Sequence, residues 1–225
     1  MDVFEAVNSR IACRHFLDKP VDLAVVRKLI EGAARAASNS NVQPWNVYAV
    51  TGEPLQEIKR RVAEAIAQSD WRTHEAEFPD LPDKPWEPYA SRTSGFGAQL
   101  YGAMGISRDN RAERLEQIKR NYRFFNAPVG LFITIDRNLG HAQWADLGGY
   151  INALAFLARG YGLDTCPQIL WSRQHRVVRA FLQFPPEQIL FCGMGMGYGD
   201  RSHPVNSFRT KRAELSEFCK FYGFD

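Results

Sequence analysis

Between residues 144 and 161, Trp144, Leu147, Ile151, Leu154, Ala158 and Tyr161 recur at alternating steps of 3 and 4. That spacing lines one face of an α-helix. Phe156 and Leu157 widen the stripe well beyond one face. A helix this apolar has to be covered on several sides, so the pattern predicts a helix over 142–161 that lies centrally or against a second subunit.

The rest of the chain supplies partners for it. Val3, Phe4 and Val7 open a first amphipathic turn. Asp22 is an N-cap for a helix carrying Val25, Val26, Leu29, Ile30 and Ala33. That helix runs out in Ser38-Asn39-Ser40-Asn41, where side chains compete for backbone hydrogen bonds. Trp45–Thr51, Pro128–Ile135 and Gln188–Cys192 read as strands from their apolar, β-branched and aromatic content. Residues 53–69, 108–122, 173–182 and 213–221 read as helices. Pro79, Pro82, Pro85 and Pro88 recur every third residue, the period of a polyproline II face, so 70–88 is expected to be an extended surface excursion. Helices and strands do not alternate regularly, which predicts an α+β fold over one domain, 1–225, with 70–105 as an insertion.

Composition narrows the function classes. Lys+Arg 28 against Asp+Glu 25 leaves a formal net charge of +3, too small to argue for nucleic acid or an anionic membrane. Basic residues are not interleaved with aromatics in a recognisable nucleic-acid module. No stretch approaches the ~18 apolar residues of a membrane span, and the opening MDVFEAVNSR lacks the layout of a secretory leader. Cys13, Cys166, Cys192 and Cys219 are scattered and show no metal-ligand spacing. A cytoplasmic chain with reduced thiols and no metal is expected.

Two patterns carry possible chemistry. Gly193, Gly195, Gly197 and Gly199 follow a strand, but Tyr198 stands where a dinucleotide turn needs its third glycine, and Asp200–Pro204 continues as loop. A flexible connection leaving the strand is the expected reading. Arg10 and Arg14 are four apart and share a side if a helical path persists, while Arg209, Lys211 and Arg212 crowd near the other terminus. Two such clusters fit one phosphate gripped from two sides, or an ordinary solvated basic surface. Phe124 and Phe125 either wall a substrate slot or pack beneath the following strand, and Trp45 reads as core because it begins a strand.

Ser9-Arg10-Ile11-Ala12-Cys13-Arg14-His15-Phe16 followed by Pro20-Val21 resembles the opening of the FMN-dependent nitroreductase family, usually Arg-Arg-Ser-x-Arg-x-Phe. Ala37-Ser38-Asn39-Ser40-Asn41-Val42-Gln43-Pro44-Trp45 is similar to the family's Pro-Ser-x-x-Asn-x-Gln-Pro-Trp signature. Ala127-Pro128, the turn at 160–167 and Arg212-Ala213-Glu214-Leu215 extend the resemblance in order along the chain. Ile11, Ala12 and Ala37 depart from the usual arginine, serine and proline, and the 70–105 excursion resembles that of a nitroaromatic and nitrobenzoate reductase subgroup.

The resemblance implies a three-layer α/β/α fold with a mixed, mostly antiparallel central sheet, assembled as an intertwined homodimer with FMN at the subunit interface. It places Arg10, Ile11, Ala12 and Arg14 on the phosphate and ribityl end, with Arg209 and Arg212 closing from the C-terminal side. Ser38, Asn39 and Asn41 would reach in from the partner, Gln168, Ile169 and Leu170 would pass the flavin edge, and Asn121 would touch the ring. It implies no catalytic side chain. Hydride would pass from NADH or NADPH through flavin N5 to a small planar acceptor, a nitroaromatic or quinone, by ping-pong turnover. Azoline oxidation, reductive dehalogenation or flavin breakdown on the same fold, or non-catalytic flavin binding, are the alternatives at this point.

Overall fold

The computed structural model describes residues 1–69, 74–80, 82 and 84–224. Its centre is a four-stranded antiparallel sheet in the order β1-β2-β4-β3, built from β1 (Asn46–Thr51), β2 (Val129–Asp136), β3 (Asp164–Gln168) and β4 (Gln188–Gly197). β2 is buried along nearly its whole length, as its unbroken apolar run requires. On one face, Val129, Leu131, Ile133 and Ile135 meet α2 (Leu23–Ala33) and α6 (His141–Gly160). On the other, Phe132 and Leu190 meet α3 (Gly52–Gln68) and α7 (His175–Leu182), through Leu55, Ile58, Val62 and Val178. The result is an α/β/α arrangement of the expected α+β class.

α6 is the predicted apolar helix. Leu147, Tyr150, Ile151, Leu154, Ala155 and Ala158 are buried under the sheet, while Leu157 and Tyr161 stay 38% and 41% exposed. α2 starts where Asp22 accepts a hydrogen bond from the Ala24 amide at 2.8 Å. Trp45 stacks on Tyr150 at 4.9 Å and is part of the core.

Three elements differ from expectation. The Gly-rich run is not a loop: Gly193–Gly197 continues β4, paired to β2 and β3. A Cβ at Gly193 would stand 2.3 Å from the Trp171 ring, and one at Gly130 would stand 2.7 Å from the Phe124 ring. The glycines clear a trough in which these two buried rings, stacked 4.4 Å apart, lie against the sheet. The turn expected over 160–167 gives way to β3 at Asp164. The final helix is a single turn, α8 (Leu215–Phe218), instead of 213–221.

Of the 70–88 excursion, residues 70–73, 81 and 83 lie outside the described residues. The described remainder through Pro88 forms neither helix nor strand, and α4 (Tyr89–Ala103) follows it. Phe78 anchors the excursion by packing on Trp144 and Phe191. α5 (Arg111–Lys119) and a 3-10 run, Arg120–Asn126, lead into β2. Among the described residues, no helix is long and apolar enough to cross a membrane, and no cluster of His, Cys, Asp and Glu could hold a metal.

Candidate functional site

The first helix, α1 (Val3–Ser9), ends before Arg10, whose backbone is extended (φ −65°, ψ 131°). From there the chain runs strand-like beside the sheet: Ala12 bridges Thr165, the Cys13 amide donates to Thr165 O (3.0 Å), and Phe16 bridges Gly199. The helical path expected to align Arg10 and Arg14 is therefore absent. They face the same side because alternate residues of an extended chain do. Ile11, Cys13 and Phe16 are buried, while Arg10, Ala12 and Arg14 are half-buried at the edge of a cavity.

That cavity is about 540 Å³, inside the roughly 300–1,000 Å³ range of small-molecule sites. The C-terminal segment closes its far side with Phe208, Arg209, Thr210 and Arg212. Asn206 joins the two walls: its Oδ1 accepts from the Arg14 amide (2.7 Å), and its Nδ2 donates to His15 O (2.8 Å) and Asp200 O (2.7 Å). Arg209 donates to Arg10 O (3.3 Å) and to Asn8 O. Arg14 donates to Ala12 O (3.2 Å), and its guanidinium lies 5.2 Å from the Phe96 ring centroid.

Four guanidinia thus line one cavity, and no Asp or Glu is among its described lining residues. Burial, then Arg212 and Arg209, push the Arg10 pKa down from its ordinary value. Guanidinia crowded together without a carboxylate favour an anion. The donor set suits a phosphate, since guanidinium forks match its oxygens. An FMN phosphate fits these residues on both charge and space.

The remaining expected residues fall into three groups. Asn121 lies past Arg14, beside a second cavity of about 50 Å³ that Arg14, Phe125 and Val205 also line. Gln168 donates to Asn121 O (2.8 Å), and its buried Oε1 has no hydrogen-bond partner among the described residues. Ile169 and Leu170 follow it, half-buried, at the end of β3. Ser38, Asn39 and Asn41 line neither arginine cavity. Their turn is fixed to α6 by the Asn39 amide donating to Asp146 (3.0 Å). Lys211 lies outside the main cavity.

The slot reading of Phe124 does not hold. Its ring has no exposure and is wedged among Trp171, Phe132 and the glycine trough, so it is packing. Phe124, Phe125 and Asn126 take left-handed φ of 50°, 52° and 68° to set the rings there, at about 1–2 kcal/mol per residue. Phe125 is also buried. Cys166 is inert: burial raises its pKa to about 11 despite Arg14 and Arg10. Phe96, Asn152, Phe156, Asn206, Phe208 and Thr210 are site residues that sequence reasoning missed. For Phe208, Thr210 and Arg212 an alternating register was available as a signal. For Asn206 there was none, because Pro-Val-Asn-Ser reads as a turn.

The sequence profile of the nitroreductase family matches residues 7–198. The chain is 39% identical to a nitrobenzene nitroreductase of Ectopseudomonas oleovorans over 96% of its own length and 95% of that protein. It is 38% identical to a 4-nitrobenzoate reductase of Pseudomonas putida, covering 100% of this chain and 97% of that one. The fold superposes on the FMN and NADPH-dependent nitroreductase NfnB from Sphigopyxis sp. strain HMH with a TM-score of 0.96 and 38% identity, covering all of both chains.

Proposed function

The chain belongs to the nitroreductase family, and from that premise we propose that it reduces nitroaromatic and quinone-like planar acceptors with FMN as resident cofactor and NADH or NADPH as reductant. The observation that carries this is the cavity in which Arg10, Arg14, Arg209 and Arg212 converge with no carboxylate. Similar proteins named for nitrobenzene, 4-nitrobenzoate, FMN and NADPH support the same chemistry.

Bound FMN supplies the hydride chemistry that no side chain here possesses. The chain's own residues bind and orient. Arg10, Arg209 and Arg212 hold the phosphate, with the backbone of Ile11 and Ala12 beside it. Arg14, whose amide is held by Asn206, reaches toward the ring end, where Asn121 and Gln168 lie. The backbone of Ile169 and Leu170 then passes the flavin edge.

A second copy completes the site in this reading, bringing Ser38, Asn39 and Asn41. Phe4, Phe218, Tyr222 and Phe224 are 70–82% exposed, an apolar surface suited to an intertwined homodimer. Phe96 of α4 lines the cavity, and in this reading α4 shapes the acceptor site within one domain. We place the reaction in the cytoplasm, where reduced nicotinamide is held.

The visible spectrum of the purified protein, before and after anaerobic NADH or NADPH, tests the proposal. Flavin bands that bleach, and re-form on adding a nitroarene, are expected. Colourless protein that cannot be reconstituted with FMN overturns it, and bands that never bleach point to another flavin reaction. Light scattering that gives a monomer overturns the shared site.

A further inference from the structure

We propose that Asp164 is a positioning residue for the phosphate grip. It holds Arg159 and Arg201 so that both brace Ser9, and through Ser9 they fix Arg10. The inference rests on the flavin-phosphate reading of the arginine cavity.

Asp164 opens β3, and its side chain is 3% exposed. A carboxylate that buried is costly unless paired. Its Oδ1 accepts from Arg159 Nη1 at 3.1 Å and from Arg201 Nη2 at 2.5 Å. A Cβ at position 199 would stand 2.5 Å from its Oδ2, so glycine there is what lets the carboxylate sit where it does. Neither arginine lines the phosphate cavity. Both reach Ser9 instead: Arg159 Nε donates to Ser9 Oγ (3.3 Å) and Arg201 Nη2 to Ser9 O (3.5 Å).

Within one protomer Ser9 ends a helix that buries no side chain, so packing inside the protomer does not set where α1 stops or where Arg10 begins. Polar clamps do that work. Arg209 supplies one of them, at Asn8 and Arg10, but Arg209 itself faces the cavity. The Asp164 pair is the clamp whose arginines do not line the cavity.

Electrostatics and positioning predict opposite signs for Asp164→Asn. Removing a negative charge near the cavity would by field alone tighten an anion. Loss of the brace loosens Arg10 and weakens FMN, by about 10- to 100-fold if it acts like other supports one step removed from a ligand. Riboflavin carries the same ring without the phosphate, so its affinity should not change.

The experiment measures FMN and riboflavin dissociation constants on deflavinated wild type, Asp164→Asn and Arg201→Lys by flavin fluorescence quenching. Arg201 is 42% exposed and makes both contacts through Nη2; lysine keeps the charge but ends one bond short of that atom, so the variant reports even where Asp164→Asn fails to fold. Selective loss of FMN in either variant supports the proposal. Unchanged or tighter FMN binding, or equal losses for both flavins, overturns it. A wild type that does not prefer FMN to riboflavin overturns the phosphate reading itself, and the brace with it.

Discussion

Arg10→Met should make the cofactor-free protein more stable and bind FMN more weakly, two effects of opposite sign from one substitution. Methionine keeps most of the half-buried stem and removes only the charge. In the cofactor-free fold, burial and the neighbouring Arg212 and Arg209 hold the Arg10 pKa below its ordinary value. The charged form is therefore disfavoured by folding, and deleting the charge removes that penalty. At this partial exposure the relief is on the order of 0.5 kcal/mol, which for a domain this size raises Tm by roughly 1–2 °C. Added salt should erase the gain by screening the repulsion. With FMN present the sign reverses. A charge-assisted hydrogen bond contributes about 1.5–3 kcal/mol, so the dissociation constant should rise roughly 10- to 100-fold. Because bound ligand stabilises in proportion to its occupancy, wild type should overtake the variant in Tm at saturating FMN. Calorimetry with and without FMN, together with fluorescence quenching, reads all three quantities. A variant that is less stable without cofactor and binds FMN normally would refute the reasoning and make Arg10 a structural residue.

Gly193→Ala would drive a methyl to 2.3 Å from the boxed-in Trp171 ring. Overpacking of this kind costs about 1–3 kcal/mol, and an unchanged Tm would mean the ring can shift. Burial raises the Cys13 and Cys192 pKa values to about 12 and that of Cys166 to about 11. An aromatic disulfide reagent at mild pH should therefore titrate Cys219 alone, and all four cysteines after denaturation; fast labelling of more than one in the native protein would contradict the buried-thiol assignment. At Glu77, burial pushes the carboxyl pKa up, but hydrogen bonds from Arg137 (2.9 Å) and Arg179 (3.0 Å) outweigh it and hold the value low. A depressed folded-state pKa adds stability above the unfolded value, about 4.3, and loses it as pH falls through the folded one. Glu77→Gln should lower Tm at neutral pH, with the gap to wild type closing in acid; a gap that persists there would show that charge is not its source.

The parts of the fold legible in the sequence were those with local causes. The 3-and-4 spacing of α6, the Asp22 cap and the apolar run of β2 each act within a few residues. The glycine half of β4 misled because its cause is distant. Those glycines suit neither a strand nor a turn by propensity, and they make sense only once Trp171 lies across Gly193, Phe124 beside Gly195 and Pro128 beside Gly197. β3 was hidden for a related reason. Asp-Thr-Cys-Pro-Gln has little strand character, and its burial comes from β4 on one edge and the Ala12 bridge on the other.

The site shows the same division. Residue types announced the chemistry: arginines near both ends of the chain did converge on one cavity, although Arg10 and Arg14 align through an extended backbone, not a helical one. What sequence could not announce is the scaffold that aims them. Asn206 binds three backbone groups at once, and two of them, at Arg14 and His15, lie near the other end of the chain from a residue that looks like ordinary turn. Asp164 pairs with Arg159 nearby in sequence, yet that pair meets the phosphate grip only through Ser9, at the far end of the chain. Groups that touch a ligand must be chemically apt, so their identities are informative in isolation. Groups that position them need only fit one another, and that constraint becomes visible only in three dimensions.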